Sequence, residues 1–100
     1  MGAKRTDANQ SSMVQQLRQC GVKVIHLHTV GKGVPDLLCC AYRRTTGQRE
    51  LLLVEVKTDK GKLTKDQVTW HQEFTEDGTI DVPMLVATGI EDVLAWFGLV

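Results

Sequence analysis

Apolar residues fall along this chain in blocks whose spacing switches between helical and extended. Over residues 7–20, Met13, Val14 and Leu17 recur at the spacing of one helix face, and Gly21 follows as a terminating glycine. Residues 22–30 alternate, with Val22, Val24, His26 and His28 on one side, and read as a strand broken by Gly31-Lys32-Gly33. Residues 34–42 read as a second strand entered through Pro35, since proline is tolerated at a strand's start and not within a central ladder. Thr45-Thr46-Gly47 then marks a hairpin turn into a third strand at residues 49–57. Its stretch Leu51-Leu52-Leu53-Val54 is apolar on both faces, which predicts a central strand buried on both sides. Residues 58–62 form a polar loop. Residues 63–77 read as a helix, with Thr64 and Gln67 at the spacing of an S/T-x-x-E/Q capping box. A short apolar strand at residues 83–87 and a helix at 89–99, carrying Val93, Leu94, Trp96 and Phe97, complete the chain. The order is α-β-β-β-α-β-α. A helix joining the third strand to the fourth predicts an α/β fold, a mixed central sheet flanked by helices.

A length of 100 residues with 42% apolar and 24% charged residues suits one compact domain over residues 1–100, with residues 1–6 as a loose basic arm. No apolar run approaches the roughly 20 residues of a membrane span, and the first ten residues are polar, so the sequence predicts no membrane association. The cysteines, Cys20, Cys39 and Cys40, are odd in number with two adjacent. That is a poor disulfide framework and fits a reducing, intracellular setting. Adjacent strand cysteines point to opposite faces, so Cys39 and Cys40 with His26 and His28 read as small buried side chains and not as a zinc site.

Net charge is zero, yet the distribution is uneven. All 12 Lys and Arg lie between Lys4 and Lys65; beyond Lys65 come only acids, Asp66, Glu73, Glu76, Asp77, Asp81, Glu91 and Asp92. Such asymmetry can steer a polyanion to one face, although a solvated surface of uneven charge gives the same pattern.

The chemistry concentrates in Pro35-Asp36 and Glu55-Val56-Lys57. Alternation puts Leu51, Leu53, Glu55 and Lys57 on one face, so an acid and a base emerge together at the end of the most apolar strand. A hairpin centred near Thr45-Thr46 brings Asp36 opposite Glu55 or within a residue or two of it, where facing Cβ atoms are about 5 Å apart. A divalent cation relieves the repulsion of two carboxylates at that distance, with the Val56 backbone carbonyl as a further ligand. Lys57 then lies where it can orient a metal-bound water or neutralise a phosphorane. The plain alternative is a structural ion pair of Lys57 with Glu55 or Asp36.

Gly33-Val34-Pro35-Asp36-Leu37-Leu38, Leu53-Val54-Glu55-Val56-Lys57, Gly61-Lys62-Leu63-Thr64 and Gln67 together resemble the VRR-NUC family of the PD-(D/E)xK nuclease superfamily, over nearly the whole chain. The resemblance implies a PD-(D/E)xK (restriction-endonuclease-like) core and a Mg²⁺- or Mn²⁺-dependent endonuclease. Asp36 and Glu55 would be metal ligands, Lys57 the catalytic lysine, and Gln67 a neighbour of the site on the second helix. It also implies a homodimer acting on branched DNA such as four-way junctions, with no small-molecule cofactor. Lys32, Lys60, Lys62 and Lys65 are the candidate contacts to the DNA backbone. Related nucleases often place a Glu on the first helix, where this chain offers Gln10, Gln15 and Gln16. Gln67 has an equally good structural reason as a capping residue. Trp70 and Phe74 read as core residues, and His71 as peripheral. Two other readings stay open: a catalytically inactive DNA-binding module with the nuclease fold, and a structural dimerisation protein using the apolar end Trp96-Phe97-Gly98-Leu99-Val100.

Overall fold

The computed structural model describes residues 8–57, 62–75 and 83–100, with the side chains of Ala8, Asn9 and Thr75 left aside. Seven elements follow one another: α1 (Ala8–Gln19), β1 (Lys23–His26), β2 (Leu37–Arg43), β3 (Gln48–Val56), α2 (Lys65–Thr75), β4 (Met84–Ala87) and α3 (Ile90–Phe97). They build a mixed α/β fold. The four strands lie side by side in the order β1-β2-β3-β4. The first three are antiparallel and β4 runs parallel to β3. A parallel neighbour cannot be reached by a tight turn, which is why α2 lies between those two strands in the chain.

The core fills one face of the sheet. Met13, Val14 and Leu17 of α1 and Val93, Leu94 and Phe97 of α3 pack with Val24, Leu37, Cys39, Ala41, Leu52, Val54 and Ala87. The strand residues of this set alternate along β2 and β3, as a single packed face requires. Burying a side chain such as Leu17 or Phe97 contributes about 1.5–3 kcal/mol. Among the described residues no helix is long and apolar enough to cross a membrane.

Local signals fix the ends. Gly21 takes φ 90° beyond α1; its N–H donates to the Arg18 carbonyl, and that of Val22 to the Leu17 carbonyl at 3.0 Å, a Schellman ending. At the far end of the β2–β3 hairpin Arg43 ties three elements together. Its Nε donates to the Trp96 carbonyl at 2.9 Å, its guanidinium lies 3.6 Å above the Trp96 ring, and it pairs with Glu50 at 3.6 Å. The Arg44 N–H donates to the Phe97 carbonyl, so α3 is anchored to the hairpin tip.

Several expectations need correction. The first strand ends at His26, not at residue 30, because a turn closed by the Val30 N–H on the Leu27 carbonyl takes the chain out of the sheet ahead of Gly31, Lys32 and Gly33, all at positive φ. The second strand begins at Leu37, beyond Pro35, which has no N–H to give to a ladder. Leu51 is 56% exposed, so β3 is covered on both faces only towards its C-terminal end. Phe74 is also exposed; it stacks on Trp70 with ring centroids 4.4 Å apart and belongs to no core. The basic arm at residues 1–6, Lys60 with most of its loop, and the end of the second helix at residue 77 lie outside the described residues.

Candidate functional site

The β2–β3 register pairs Leu37 with Val54, which sets Asp36 opposite Glu55 at the end of the hairpin away from the turn. Backbone and side-chain bonds hold Asp36 there. Its carbonyl accepts the Leu27 N–H at 2.7 Å, and its Oδ2 accepts the Val56 N–H at 2.9 Å. The next residue, Lys57, gives its N–H to Ala87 of β4 at 2.9 Å. Successive strand residues turn their backbone groups to opposite neighbours, so Val56 presents its carbonyl, like its N–H, towards the Asp36 side.

Glu55 is 1% exposed, on the sheet face opposite the core. Gln67 of α2 donates from Nε2 to Glu55 Oε2 at 3.0 Å. No protein hydrogen-bond donor reaches Oε1. Burial first, then a hydrogen bond with Asp36 and the repulsion of its charge, push the Glu55 carboxyl up to about 8; the nearby Lys57 ammonium acts the other way. Without a cation the Glu55 carboxyl is thus held towards its protonated form. A pair so arranged holds either a proton or a positive ion between its oxygens.

The capping box and the contact with Glu55 use different atoms of one side chain. The Gln67 N–H donates to Thr64 Oγ1 at 3.2 Å, and the Thr64 N–H donates to Gln67 Oε1 at 2.8 Å. Accepting at Oε1 fixes which way the amide faces, leaving Nε2 to reach Glu55.

The start of α2 is seated by Gly33. A Cβ added there would lie 2.2 Å from the Asp66 carbonyl oxygen and 3.0 Å from the Gln67 nitrogen, and the residue sits at φ 85°. Only glycine meets both demands. This close approach was not read from the sequence, although Gly-Lys-Gly beside Pro-Asp carried the signal. Between the two glycines, Lys32 is held at φ 56°, a conformation that costs a side-chain-bearing residue about 1–2 kcal/mol.

Lys57 is half-buried beside Glu55, and Lys32, Lys62 and Lys65 are exposed on the segments flanking the pair. Of the four glutamines on α1 only Gln10 is buried, at 5%; Gln15, Gln16 and Gln19 face solvent. Since α1 turns back at Gly21 into β1, and β1 ends beside Asp36, Gln10 in the first turn lies towards that same end of the sheet. His26 and His28 meet edge-on at 5.4 Å. His26 lines a groove of about 500 Å³ with Arg18 and Gln15 on the core side of the sheet, away from the carboxylates. Cys39 is packed in the core, where burial and then Cys40 push its thiol up to about 12. Among the described residues no group of three His, Cys, Asp or Glu could hold a metal.

The sequence profile of the VRR-NUC domain matches residues 3–89. Neither the curated proteins nor the solved structures contain a match. The matched stretch takes in Asp36, Glu55, Lys57 and Gln67 and most of the chain. The chain belongs to the VRR-NUC family.

Proposed function

We propose that this protein is a Mg²⁺- or Mn²⁺-dependent DNA endonuclease, a single nuclease domain that acts as a homodimer on branched DNA such as four-way junctions. One observation carries the reading: two carboxylates face each other across neighbouring strands, one of them buried with an oxygen that no protein donor reaches. A structural ion pair would leave neither feature.

The donor set fits a small hard cation. Mg²⁺ takes one or two carboxylates and completes its shell with waters and phosphate oxygens, so two acids suffice without a third. Asp36 and Glu55 would hold the ion, with the Val56 carbonyl turned towards them. When bound, it would lower the pKa of a coordinated water and stabilise charge building on a phosphodiester.

The chain's own groups do the rest. Asp36 is kept in place by the Val56 N–H, which leaves its other oxygen for a ligand. Gln67 fixes the Glu55 carboxylate through Oε2 and leaves Oε1 directed into the site. Lys57, at the edge of the buried pair, brings a positive charge to the attacking water and the crowded phosphate. Lys32, Lys62 and Lys65, exposed on the segments flanking the pair, neutralise backbone phosphates without reading bases, and Lys60 is assigned the same role from the sequence alone. Symmetric cleavage of two strands needs two such sites related by a two-fold axis, and one chain of this size supplies one, which is the reason for a homodimer.

The test is cleavage of labelled four-way junction, linear duplex and single-stranded DNA with Mg²⁺ or Mn²⁺, beside Lys57→Ala. Metal-dependent cleavage that is strongest on the junction and falls about 10²–10³-fold in the variant is expected. Binding without cleavage of any substrate would show a nucleic-acid-binding module that keeps the fold and not the chemistry.

A further inference from the structure

The edge of the sheet at α1 and β1 carries a groove that the site above does not use. Between Asp7 and Asp36 the chain holds no acid, while Arg18, Lys23, His26, His28 and Lys32 all fall there. The fold gathers several of them. Ser11, Gln15, Arg18 and Gln19, spaced i, i+4, i+7 and i+8, share one face of α1, and with His26 they wall the groove of about 500 Å³. A second hollow of about 440 Å³ shares Arg18 with it and has Lys23 in its wall. No carboxylate lines either one. β1 is the outermost strand, so both lie at the edge of the sheet.

Arg18 is held in position there. Its Nη2 donates to the Val24 carbonyl at 2.9 Å, which anchors the guanidinium against β1. A guanidinium has five N–H donors, so most remain for a ligand. Among the described residues no carboxylate pairs with it. The His26 imidazole is held towards its neutral form, by burial first and then by the charges of His28 and Arg18. A neutral imidazole still donates one N–H.

We propose that this groove binds a non-scissile phosphate of the DNA strand that enters the Asp36–Glu55 site, with Arg18 as its cation and Gln15, Gln19 and His26 as further donors. The inference rests on the nuclease reading above and adds the path of the strand.

Position and charge select this edge. The Leu27 N–H on the Asp36 carbonyl ties the end of β1 to the carboxylate pair, and His26 is the register partner of Leu37, the residue after Asp36. Neighbouring strands lie about 4.8 Å apart, and one DNA strand advances about 3.4 Å per nucleotide. A backbone seated on the pair therefore reaches the groove within a few nucleotides by passing over the end of β1. The other way out is acidic. α2 exposes Asp66 and Glu73, and α3, which follows β4 at the opposite edge, opens with exposed Glu91 and Asp92. A phosphate backbone is repelled there and drawn to the acid-free edge. Arginine and amide donors around a phosphate fix the strand's position without reading its bases.

The test is binding of labelled duplex and four-way junction DNA to the full chain in EDTA, where no cutting intervenes, over a range of salt. Wild type should bind with an affinity that falls steeply with salt. Arg18→Gln should bind roughly tenfold more weakly near about 0.1 M salt and lower the slope of log K against log salt by about 1, on both DNAs alike, as the loss of one phosphate contact does. Because Arg18 also holds Val24, Gln15→Glu is the second variant. It sets a carboxylate one turn from Arg18 at an exposed position, and should weaken binding at least as much with an unchanged melting temperature. Val100→Glu, exposed beyond the end of α3, changes the net charge equally and should bind as wild type does. Full binding by Gln15→Glu, or an equal loss in Val100→Glu, would overturn the inference, and so would a wild type that binds no DNA. Cleavage with Mg²⁺ or Mn²⁺ is read separately. A protein that needs Arg18 to bind and never cuts would sink the nuclease reading and leave the groove standing; one that cuts, with Gln15→Glu binding in full, would do the opposite.

Discussion

Replacing Gly33 with alanine should disturb the site from outside it. The added Cβ would lie 2.2 Å from the Asp66 carbonyl oxygen, so the first turn of α2 must retreat by roughly 1 Å to restore ordinary contact. Such overpacking costs about 1–3 kcal/mol. Holding alanine at φ 85° adds about 1–2 kcal/mol. A total of about 2–5 kcal/mol lowers the melting temperature of a domain this size by roughly 10–25 °C. The same retreat carries Gln67 away from Glu55, breaking a 3.0 Å bond. Misplacement on that scale can reduce a rate about a hundredfold. Gly21→Ala supplies the control: Gly21 is also at positive φ, 90°, but a Cβ there meets nothing within 4 Å. It should therefore show only the conformational cost and full cleavage. Thermal melting and junction cleavage of the two variants side by side decide the matter. Equal destabilisation, or undiminished cleavage by Gly33→Ala, would refute the argument that this contact sets the position of Gln67.

Four further outcomes follow from the geometry. Glu55 is raised from 4.5 to about 8, so the folded, metal-free protein binds a proton that the unfolded chain releases; its stability should fall as pH rises between those values, and Glu55→Gln or saturating Mg²⁺ should flatten the slope in melts across that window. Metal binding below pH 8 should correspondingly release a proton, measurable by calorimetry in buffers of different ionisation enthalpy. Thr64→Ala should cost about 1 kcal/mol in urea denaturation, because Oγ1 caps the Gln67 N–H, and should lower cleavage as well by loosening the start of α2; a loss of stability with unchanged rate would separate the two roles. Arg43→Lys should destabilise by about 1–2 kcal/mol, since an ammonium cannot lie flat on Trp96 while bonding its carbonyl, and cleavage by the folded fraction should be unaffected.

The sequence was most legible where one local rule decides the outcome. Helical spacing placed Met13, Val14 and Leu17 on the buried face of α1, and Thr64 with Gln67 marked the start of α2. The facing of Asp36 and Glu55 also followed from local information, because a hairpin turn near Thr45-Thr46 fixes the pairing of every residue back to the strand ends. What escaped were properties of distant neighbours. Leu51 has the same apolar character as Leu52, and only the packing of α1 and α3 on one face separates an exposed residue from a buried one. Phe74 matches the core pattern of its helix, yet no core lies beneath it. The approach of Gly33 to Asp66 joins residues far apart in the chain, and no periodicity records it.

The orientation of the Gln67 amide has a consequence for what substitution this chain can tolerate. At the third position of a capping box Glu is as common as Gln, and a helix dipole rewards the anion with about 0.3–1 kcal/mol. Glutamate here would keep the bond to the Thr64 N–H and lose the donor to Glu55, adding a third negative group to a buried pair that already strains to stay ionised. The neutral amide therefore marks a trade of helix stability against function. A search for stabilising substitutions guided by helix rules alone would choose this position early and disable the site.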